Sequence, residues 1–437
     1  MGKRSDRERA RIGTAYRRQK KRLPVSEQEP LPLWPEKVEG GRLVRELERY
    51  VQSLRDESAH GNRQLFLDDV FLAYLLAFFN PTLRSLRTIE DFSQTRQAQR
   101  HLSTRRICRS TLSDFNQLAD PTRLEPILMS LRAALSRKSA GQGRSDLQGL
   151  VKQVLAVDGT FFSAAADVAW AIGHRNQTAT SRYRARLDAQ INIATWLPEV
   201  ISVPEPGEGE AKSAAQFVQP GAIHIYDRAY GSFELLNAHY ELRPDRTLEP
   251  RAEFVLRAKS HQLSFTAIED HPLSEEQRRL GIVSDRIGHL IGSQGYPAPS
   301  FAVREIVFVK EDGEAVRLLT NLLEVAAETV TELYRQRWQI ELFFRWLKCY
   351  AHFDHLISHS RSGVLLNFYV VVIGVLLMYL HTGGRPSKYA LVLLGMVAHS
   401  GASLDSILPI LRERERQCER DRKSAAARRA RKKAASQ

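Results

Sequence analysis

Cysteine is scarce in this sequence. The 437 residues include three cysteines, Cys108, Cys349 and Cys418, which lie far apart and form no CxxC pair or Cys/His cluster. Their number and spacing argue against a disulfide framework and against a zinc site. The pattern GxxxxGK(S/T) is missing as well, which argues against a reaction driven by a nucleoside triphosphate.

Long apolar runs are almost as rare. The first 22 residues are basic and no apolar core follows them, so they do not resemble a secretory signal. One run of 17 residues, Val364 to Leu380, is at the lower limit for a membrane-spanning helix and contains Asn367 and Gly374. We interpret it as a buried packing or dimerisation helix, with a membrane span as the alternative. We therefore expect a cytoplasmic protein without a membrane partner.

Basic residues are in clear excess over acidic ones. The chain has 64 Lys and Arg against 50 Asp and Glu, a formal net charge of +14. This charge suits a polyanionic partner, nucleic acid first and an anionic membrane second. Residues 1–25 hold ten basic and two acidic side chains, and the last residues form a second basic tail. Such segments either bind phosphates or are solvated tails.

Helical patterns come first along the chain. Residues 41–145 read as helices, with Ser110 or Thr111 as a possible helix cap and Asp120-Pro121 opening the next helix. Arginines just ahead of that cap are a weak sign of a helix-turn-helix, so we expect a helical DNA-binding domain in this region. A polar linker, Lys138 to Gln148, follows.

Strand patterns begin after the linker. Short apolar or alternating runs predict strands at Val151–Val157, Arg184–Trp196, Ala222–Tyr226 and Glu253–Arg257. From about Ser264 to Thr320 the strand patterns continue without a predicted helix. One long helix is predicted from Thr329 to Tyr350, and further helices lie beyond it.

Two aspartates each follow an apolar strand. Asp158 comes after VKQVLAV and Asp227 after AIHIY. If these strands are parallel neighbours, the carboxylates lie a few ångströms apart and repel each other, and a divalent cation would relieve the repulsion. Oxygen ligands favour Mg²⁺ or Mn²⁺ over zinc. Each aspartate alone also has a structural interpretation, Asp158-Gly159 as a turn and Asp227 as a helix cap.

The predicted helix from Thr329 to Tyr350 is apolar around most of its circumference. Four polar side chains share its remaining narrow stripe: Tyr334, Arg337, Glu341 and Lys348. By itself the stripe is typical of a salt bridge between Arg337 and Glu341. Together with the two aspartates, Glu341 is a third carboxylate, as two-metal phosphoryl transfer requires. Arg337 and Lys348 would then supply positive charge for a phosphate, and Tyr334 a hydroxyl.

The spacing Tyr334–x2–Arg337–x3–Glu341–x6–Lys348 resembles the Y-R-E-K signature of bacterial insertion-sequence transposases of the DDE type. DGT at Asp158 and DRAY at Asp227 resemble the first and second acidic motifs of that group, and TNL from Thr320 resembles a further one. The resemblance extends over roughly residues 151–360.

The resemblance implies an α/β fold: an RNase H-like catalytic core with a β-rich insertion, flanked by helical N- and C-terminal regions. It implies that Asp158, Asp227 and Glu341 are catalytic and bind two Mg²⁺ or Mn²⁺ ions. It also implies that Tyr334, Arg337 and Lys348 bind DNA. Arg228 has two open interpretations, a DNA contact or a structural ion pair.

The implied function is metal-dependent cleavage at the ends of an insertion element and strand transfer into target DNA, by a homodimer on double-stranded DNA in the bacterial nucleoid. A DNA-binding protein without catalysis and a nuclease without strand transfer are the alternatives. The expected segments are a basic arm and linker (1–40), the helical DNA-binding domain (41–145), the core (146–263 and 321–360), the insertion (264–320) and a helical C-terminal region with its tail (361–437).

Overall fold

The structure is a computed structural model. It describes residues 51, 54, 65–139 except 81, 82 and 84, 153–163, 172–174, 182–350 except 196, 206, 260, 261 and 294, 357–382 except 359, 393, and 402–434. The predicted basic arm and linker, 1–40, lies outside these residues. The chain forms two compact units, residues 1–141 with 348–437, and residues 142–347.

The helices of the described residues are α1 Leu67–Phe79, α2 Leu86–Ser93, α3 Arg96–Gln99, α4 Arg109–Leu118, α5 Glu125–Ser139, α6 Glu210–Ala215, α7 Phe233–Asn237, α8 Glu275–Arg279, α9 Ala327–Arg335, α10 Trp338–Tyr350, α11 Arg361–Thr382 and α12 Leu404–Ala434. The strands are β1 Val154–Ser163, β2 Ile172–His174, β3 Arg182–Asn192, β4 Pro198–Ser202, β5 Ile223–Tyr226, β6 Tyr240–Leu242, β7 Leu248–Pro250, β8 Glu253–Ala258, β9 Phe265–Asp270, β10 Ile282–Leu290, β11 Val303–Val309 and β12 Ala315–Thr320. The protein is therefore a mixed α/β structure.

The first unit packs around α11. This helix contacts α1, α4, α5 and α12. Its length and apolar composition would allow it to cross a membrane, but 89% of the apolar stretch is buried inside the structure. Gly374 permits close approach to α1, since a Cβ there would lie 2.6 Å from the Phe78 ring. A helix so covered by its own unit packs as a core helix.

Two predictions for helix starts in this unit have different outcomes. Asp120 opens the next helical segment as predicted, because its carboxylate accepts a hydrogen bond from the Thr122 amide at 3.0 Å. The predicted cap at Ser110 or Thr111 is wrong. Helix α4 begins at Arg109, two residues before the start that a Ser110 cap would give, with Cys108 at the cap position and no side-chain hydrogen bond there.

The second unit is built on one ten-stranded sheet. The strand order is β2-β3-β1-β5-β8-β12-β11-β10-β9, and β4 pairs with the other part of β3. Strands β1, β5 and β8 are parallel, and β3 is antiparallel to β1. Strand β12 is antiparallel to β8, so β9 to β12 continue the same sheet.

The expectation of a helix-free segment from Ser264 to Thr320 is wrong at α8. Ser274 accepts a hydrogen bond from the Gln277 amide at 3.1 Å, and the Ser274 amide donates to Gln277 Oε1 at 3.0 Å. This reciprocal pair is a capping box, and S-x-x-Q is its sequence pattern. The helix is five residues long, so it interrupts the strands only briefly.

The predicted strand that ended at Val157 runs on to Ser163. It continues because the whole of β1, from Leu155 to Ser163, pairs with β3 along one edge. Asp158-Gly159 therefore lies inside a strand and does not form a turn.

The predicted helix from Thr329 to Tyr350 is broken at Gln336 and Arg337. At the break the hydrogen bonds shorten to three residues: the Arg337 amide donates to the Tyr334 carbonyl, and the Ile340 amide to the Arg337 carbonyl, both at 3.0 Å. Such a tightened turn changes the direction of a helix. Tyr334 therefore lies on α9, while Glu341 and Lys348 lie on α10.

Candidate active site

Asp158 lies in β1, and Asp227 directly follows β5, the neighbouring parallel strand. Strands β1 and β5 pair in parallel with Ala156 opposite Ile225, and the two aspartates come two residues further along each strand. The structure thus meets the condition, stated for the sequence, that these two strands are parallel neighbours. The Asp227 carboxylate also accepts a hydrogen bond from the Ala229 amide at 2.7 Å and caps a short helical turn. Its capping role and its position beside Asp158 coexist.

Negative charge accumulates around Asp158. Burial, and next the charge of Asp227, raise the pKa of Asp158 to about 7, against the opposing effect of Arg337. A carboxylate with so high a pKa is incompletely compensated by its protein neighbours, and an added cation would favour its charged form.

Arg337 connects two of the three predicted carboxylates. Its Nη2 lies 2.5 Å from Glu341 Oε1 and its Nη1 lies 3.6 Å from Asp158 Oδ2. The salt bridge between Arg337 and Glu341 predicted from the stripe is present, and Asp158 shares it. Arg337 lies in the break between α9 and α10, and from there its guanidinium reaches Asp158 on β1.

The other predicted DNA-binding residues differ in exposure. Tyr334 is buried on α9, where its ring packs edge-on against Phe308 and its phenol interacts electrostatically with Arg257. Lys348 and Arg228 are exposed. DNA binding by Tyr334, Arg337, Lys348 and Arg228 stays a prediction.

Sequence reasoning missed a buried polar face on β3. Arg186, Asp188 and Gln190 alternate with apolar residues along this strand, and all three are buried. Arg186 holds Asp188 through two bonds, of 2.8 and 3.0 Å, and donates a third to the Glu208 carbonyl at 2.7 Å. The alternation of polar and apolar residues could have indicated this face. A central strand is covered on both faces, so its polar face must lie against other polar groups.

Asp188 lies directly opposite Gly159 in the pairing of β1 with β3. A Cβ at Gly159 would come within 2.8 Å of Asp188 Oδ1 and 3.2 Å of Glu210 Oε1. The glycine after Asp158 is thus needed for space. It allows two further carboxylates, Asp188 and Glu210, to approach the strand.

The chemistry of the side chains fits a divalent metal ion. The donors are carboxylate oxygens, which suit Mg²⁺ or Mn²⁺ better than softer metals, and the raised pKa of Asp158 shows charge that a cation would balance. Among the described residues, no three His, Cys, Asp or Glu side chains are close enough to hold a metal ion in this structure. Arg337 provides the positive charge between Asp158 and Glu341 instead.

The fold and site define an α/β protein with an acidic centre at neighbouring parallel strands and on a following helix. Residues 149–377, more than half of the chain, match the family described as Transposase DDE domain. The chain therefore belongs to this family. Membership implies the use of a divalent metal ion.

Three similar proteins carry names that describe them as transposases. One, named as a transposase for insertion sequence element IS5377 of Geobacillus stearothermophilus, is 27% identical over 58% of this chain and 62% of its own length. A transposase of Sinorhizobium fredii, y4zB, is 24% identical over 41% of this chain and 49% of its own length. A third relative, named as a transposase for insertion sequence element IS4SA of Synechocystis, is 22% identical over 62% of this chain and 71% of its own length. The chain thus spans less than two thirds of the first two relatives.

The solved structure of piggyBac transposase in a synaptic complex with hairpin DNA aligns with 82% of this chain and 83% of its own. The TM-score is 0.35 and the identity 10%.

Proposed function

We propose that the protein is a DNA transposase that cleaves DNA at the ends of its insertion element and transfers the strand into target DNA. The observation that carries the proposal is the parallel placement of Asp158 beside Asp227, with Glu341 joined to Asp158 through Arg337. These three carboxylates are the proposed catalytic and metal-binding residues. Family membership supports the reaction class.

The strand order supports an RNase H-like core. Strands β4-β3-β1-β5-β8 form a sheet in which β1, β5 and β8 are parallel, β3 is antiparallel to β1, and β4 is antiparallel to β3. Strands β9 to β12 lie between Asp227 and Glu341 in the chain and extend the sheet beyond β8. Their position in the chain supports assigning them to the proposed β-rich insertion.

The proposed cofactors are two Mg²⁺ or Mn²⁺ ions, which when bound would activate an attacking oxygen and stabilise a leaving one. The protein's own part is to hold the carboxylates and the phosphate. Asp158 and Asp227 are fixed by the sheet. Glu341 must exchange its bond with Arg337, and that guanidinium then becomes available to a phosphate, as would exposed Lys348.

The proposed partners are the double-stranded element ends and the target DNA. Both ends must be held together for joining, so a homodimer on DNA is part of the proposal, as is a location at the bacterial nucleoid. The net charge of +14 supports binding to a polyanion.

A supercoiled plasmid carrying the inverted repeats that flank the reading frame, incubated with Mg²⁺, tests the proposal. We expect cutting at the repeats and joining to new sites. Asp158→Asn, Asp227→Asn and Glu341→Gln should each abolish cutting but retain binding to the repeats in a mobility-shift assay. Asp270→Asn, an exposed change on β9, is the matched control and should cut normally.

Each alternative function gives a different result in that assay. Cutting without joining would indicate a nuclease. Binding without any cutting by the wild-type protein would indicate a DNA-binding protein without catalysis. Normal cutting by Glu341→Gln would show that the metal assignment is wrong even if the protein is a transposase.

A further inference from the structure

Helix α6 places a glutamate against the strand that carries Asp158. Glu210 is the first residue of α6 and is half-buried. Its Oε1 lies 3.2 Å from the position that a Cβ of Gly159 would take. It also lies near enough to Asp227 for that charge to act on it. Glu210 therefore reaches the acidic end of the sheet from a direction different from those of Asp158, Asp227 and Glu341.

Glu210 has no salt-bridge or hydrogen-bond partner for its carboxylate among the described residues. The nearby cation, Arg186, is occupied: it bonds to both oxygens of Asp188 and to the Glu208 carbonyl. Burial raises the pKa of Glu210, and the opposing charge of Arg186 does not cancel this effect. A half-buried carboxylate without a partner is costly unless it binds something positive.

Tyr230 supplies a second, independent observation at this place. Its side chain is 1% exposed, and its hydroxyl has no hydrogen-bond partner in the part of the chain described. Burial and then the charges of Asp158, Asp188, Glu210 and Asp227 raise the pKa of the phenol. The phenol thus lies within reach of the charges of Glu210 and of the neighbouring aspartates. Buried polar groups without partners are rare and call for an unseen partner.

We propose that Glu210 is a fourth carboxylate of the active site and that a divalent cation draws it together with Asp158 and Asp227, since no three described acids are close enough to share an ion as they stand. The Tyr230 hydroxyl would hydrogen-bond to a water or carboxylate of the same cluster. The inference rests on the proposed function, since it adds a ligand to the same metal site. Asp188 is not included, because its two oxygens are taken by Arg186.

The structural alternative is that Glu210 merely stabilises the first turn of α6, where an acidic side chain is favourable. That role would not require a partnerless, half-buried carboxylate beside three other acids, and any exposed acid would serve. The two interpretations predict different metal binding by the protein without DNA.

The test is a titration of the full-length chain with Mn²⁺ in the absence of DNA, with free Mn²⁺ measured by electron paramagnetic resonance. We expect Glu210→Gln to raise the Kd for Mn²⁺ at least tenfold, and Glu210→Asp to recover part of the affinity. Glu208→Gln is the matched control. It removes the same charge two residues away, where the carboxylate bonds to Gln216 at 2.5 Å, so it should change the Kd less than threefold.

The inference is overturned if Glu210→Gln binds Mn²⁺ within twofold of the wild-type protein, or if Glu208→Gln weakens binding equally. A wild-type protein that takes up no Mn²⁺ would overturn both this inference and the proposed metal site. If the wild-type protein binds Mn²⁺ and cuts the plasmid while Glu210→Gln binds normally, only the fourth carboxylate is refuted.

Discussion

Replacing Asp158 with asparagine should make the metal-free protein more stable at neutral and higher pH. Burial and the neighbouring Asp227 raise the pKa of Asp158 to about 7, whereas an unfolded chain has a value near ~4. The folded protein thus favours the protonated acid. The corresponding stability is present below about pH 4 and is lost as the pH rises to about 7.

The size of the effect follows from that difference in pKa. At about 1.4 kcal/mol for each pH unit, ionisation of Asp158 lowers the free energy of unfolding by at most ~4 kcal/mol. Asparagine cannot ionise, and its carbonyl can still accept the hydrogen bond that the Gly159 amide donates to Asp158 at 2.8 Å. We expect a gain of about 2–4 kcal/mol at pH 8, or roughly 5–10 °C in Tm for a unit of this size.

The assay is differential scanning fluorimetry of the full chain in EDTA at pH 5 and pH 8. Most of the gain should appear between these two values. Asp270→Asn, exposed on β9, controls for the loss of one charge and should leave Tm unchanged. Adding Mn²⁺ at pH 8 should stabilise the wild-type protein more than Asp158→Asn. An equal Tm for wild type and Asp158→Asn at pH 8 would refute the argument that Asp158 is held in an unfavourable charged state.

Three further predictions concern other parts of the structure. Gly159→Ala should weaken Mn²⁺ binding and lower the free energy of unfolding by about 1–3 kcal/mol, because its Cβ would lie 2.8 Å from Asp188 Oδ1; unchanged Mn²⁺ titrations would contradict this. Arg304→Met should destabilise the protein by about 3–5 kcal/mol in urea unfolding, since it leaves buried Asp285 without the two 2.7 Å bonds that Arg304 supplies. Adding Asp285→Leu to that variant should restore part of the lost stability. Lys348→Ala should weaken binding to the element ends and make its salt dependence shallower by about one unit of slope; an unchanged slope in a fluorescence-anisotropy titration would exclude a phosphate contact.

Local sequence predicted an apolar strand before each of Asp158 and Asp227, whereas the parallel pairing of the two strands could be stated only as a condition. Each aspartate follows a short apolar run, and such runs form buried central strands that tend to lie side by side. Glu341 could be predicted as their companion, because a carboxylate on an otherwise apolar helix must find a polar environment. These inferences needed only composition and periodicity within a few residues of each site.

Other features depend on contacts between distant segments. Strand β1 extends past Asp158 because β3 pairs with it, and nothing in the local sequence of β1 indicates this. The break at Gln336 and Arg337 contains neither Gly nor Pro, which are the usual signals for an interruption. Glu210 stands in the segment EPGEGEAK, whose composition is typical of a solvated loop. Its proximity to Gly159 follows from the position of α6 on the sheet.

The position of Arg337 reduces the repulsion between the carboxylates of this site. Its guanidinium lies between Asp158 and Glu341, so it balances charge that would otherwise be buried and uncompensated. A cation that binds these carboxylates must compete with it. We therefore expect Arg337→Gln to bind Mn²⁺ several-fold more tightly than the wild-type protein when DNA is absent, because one nearby positive charge is removed. The same variant should bind the element ends more weakly, because the released guanidinium is the proposed phosphate ligand. Weaker Mn²⁺ binding by Arg337→Gln would show instead that the arginine holds Glu341 in place for the metal, and that its bond to Glu341 persists when the site is filled.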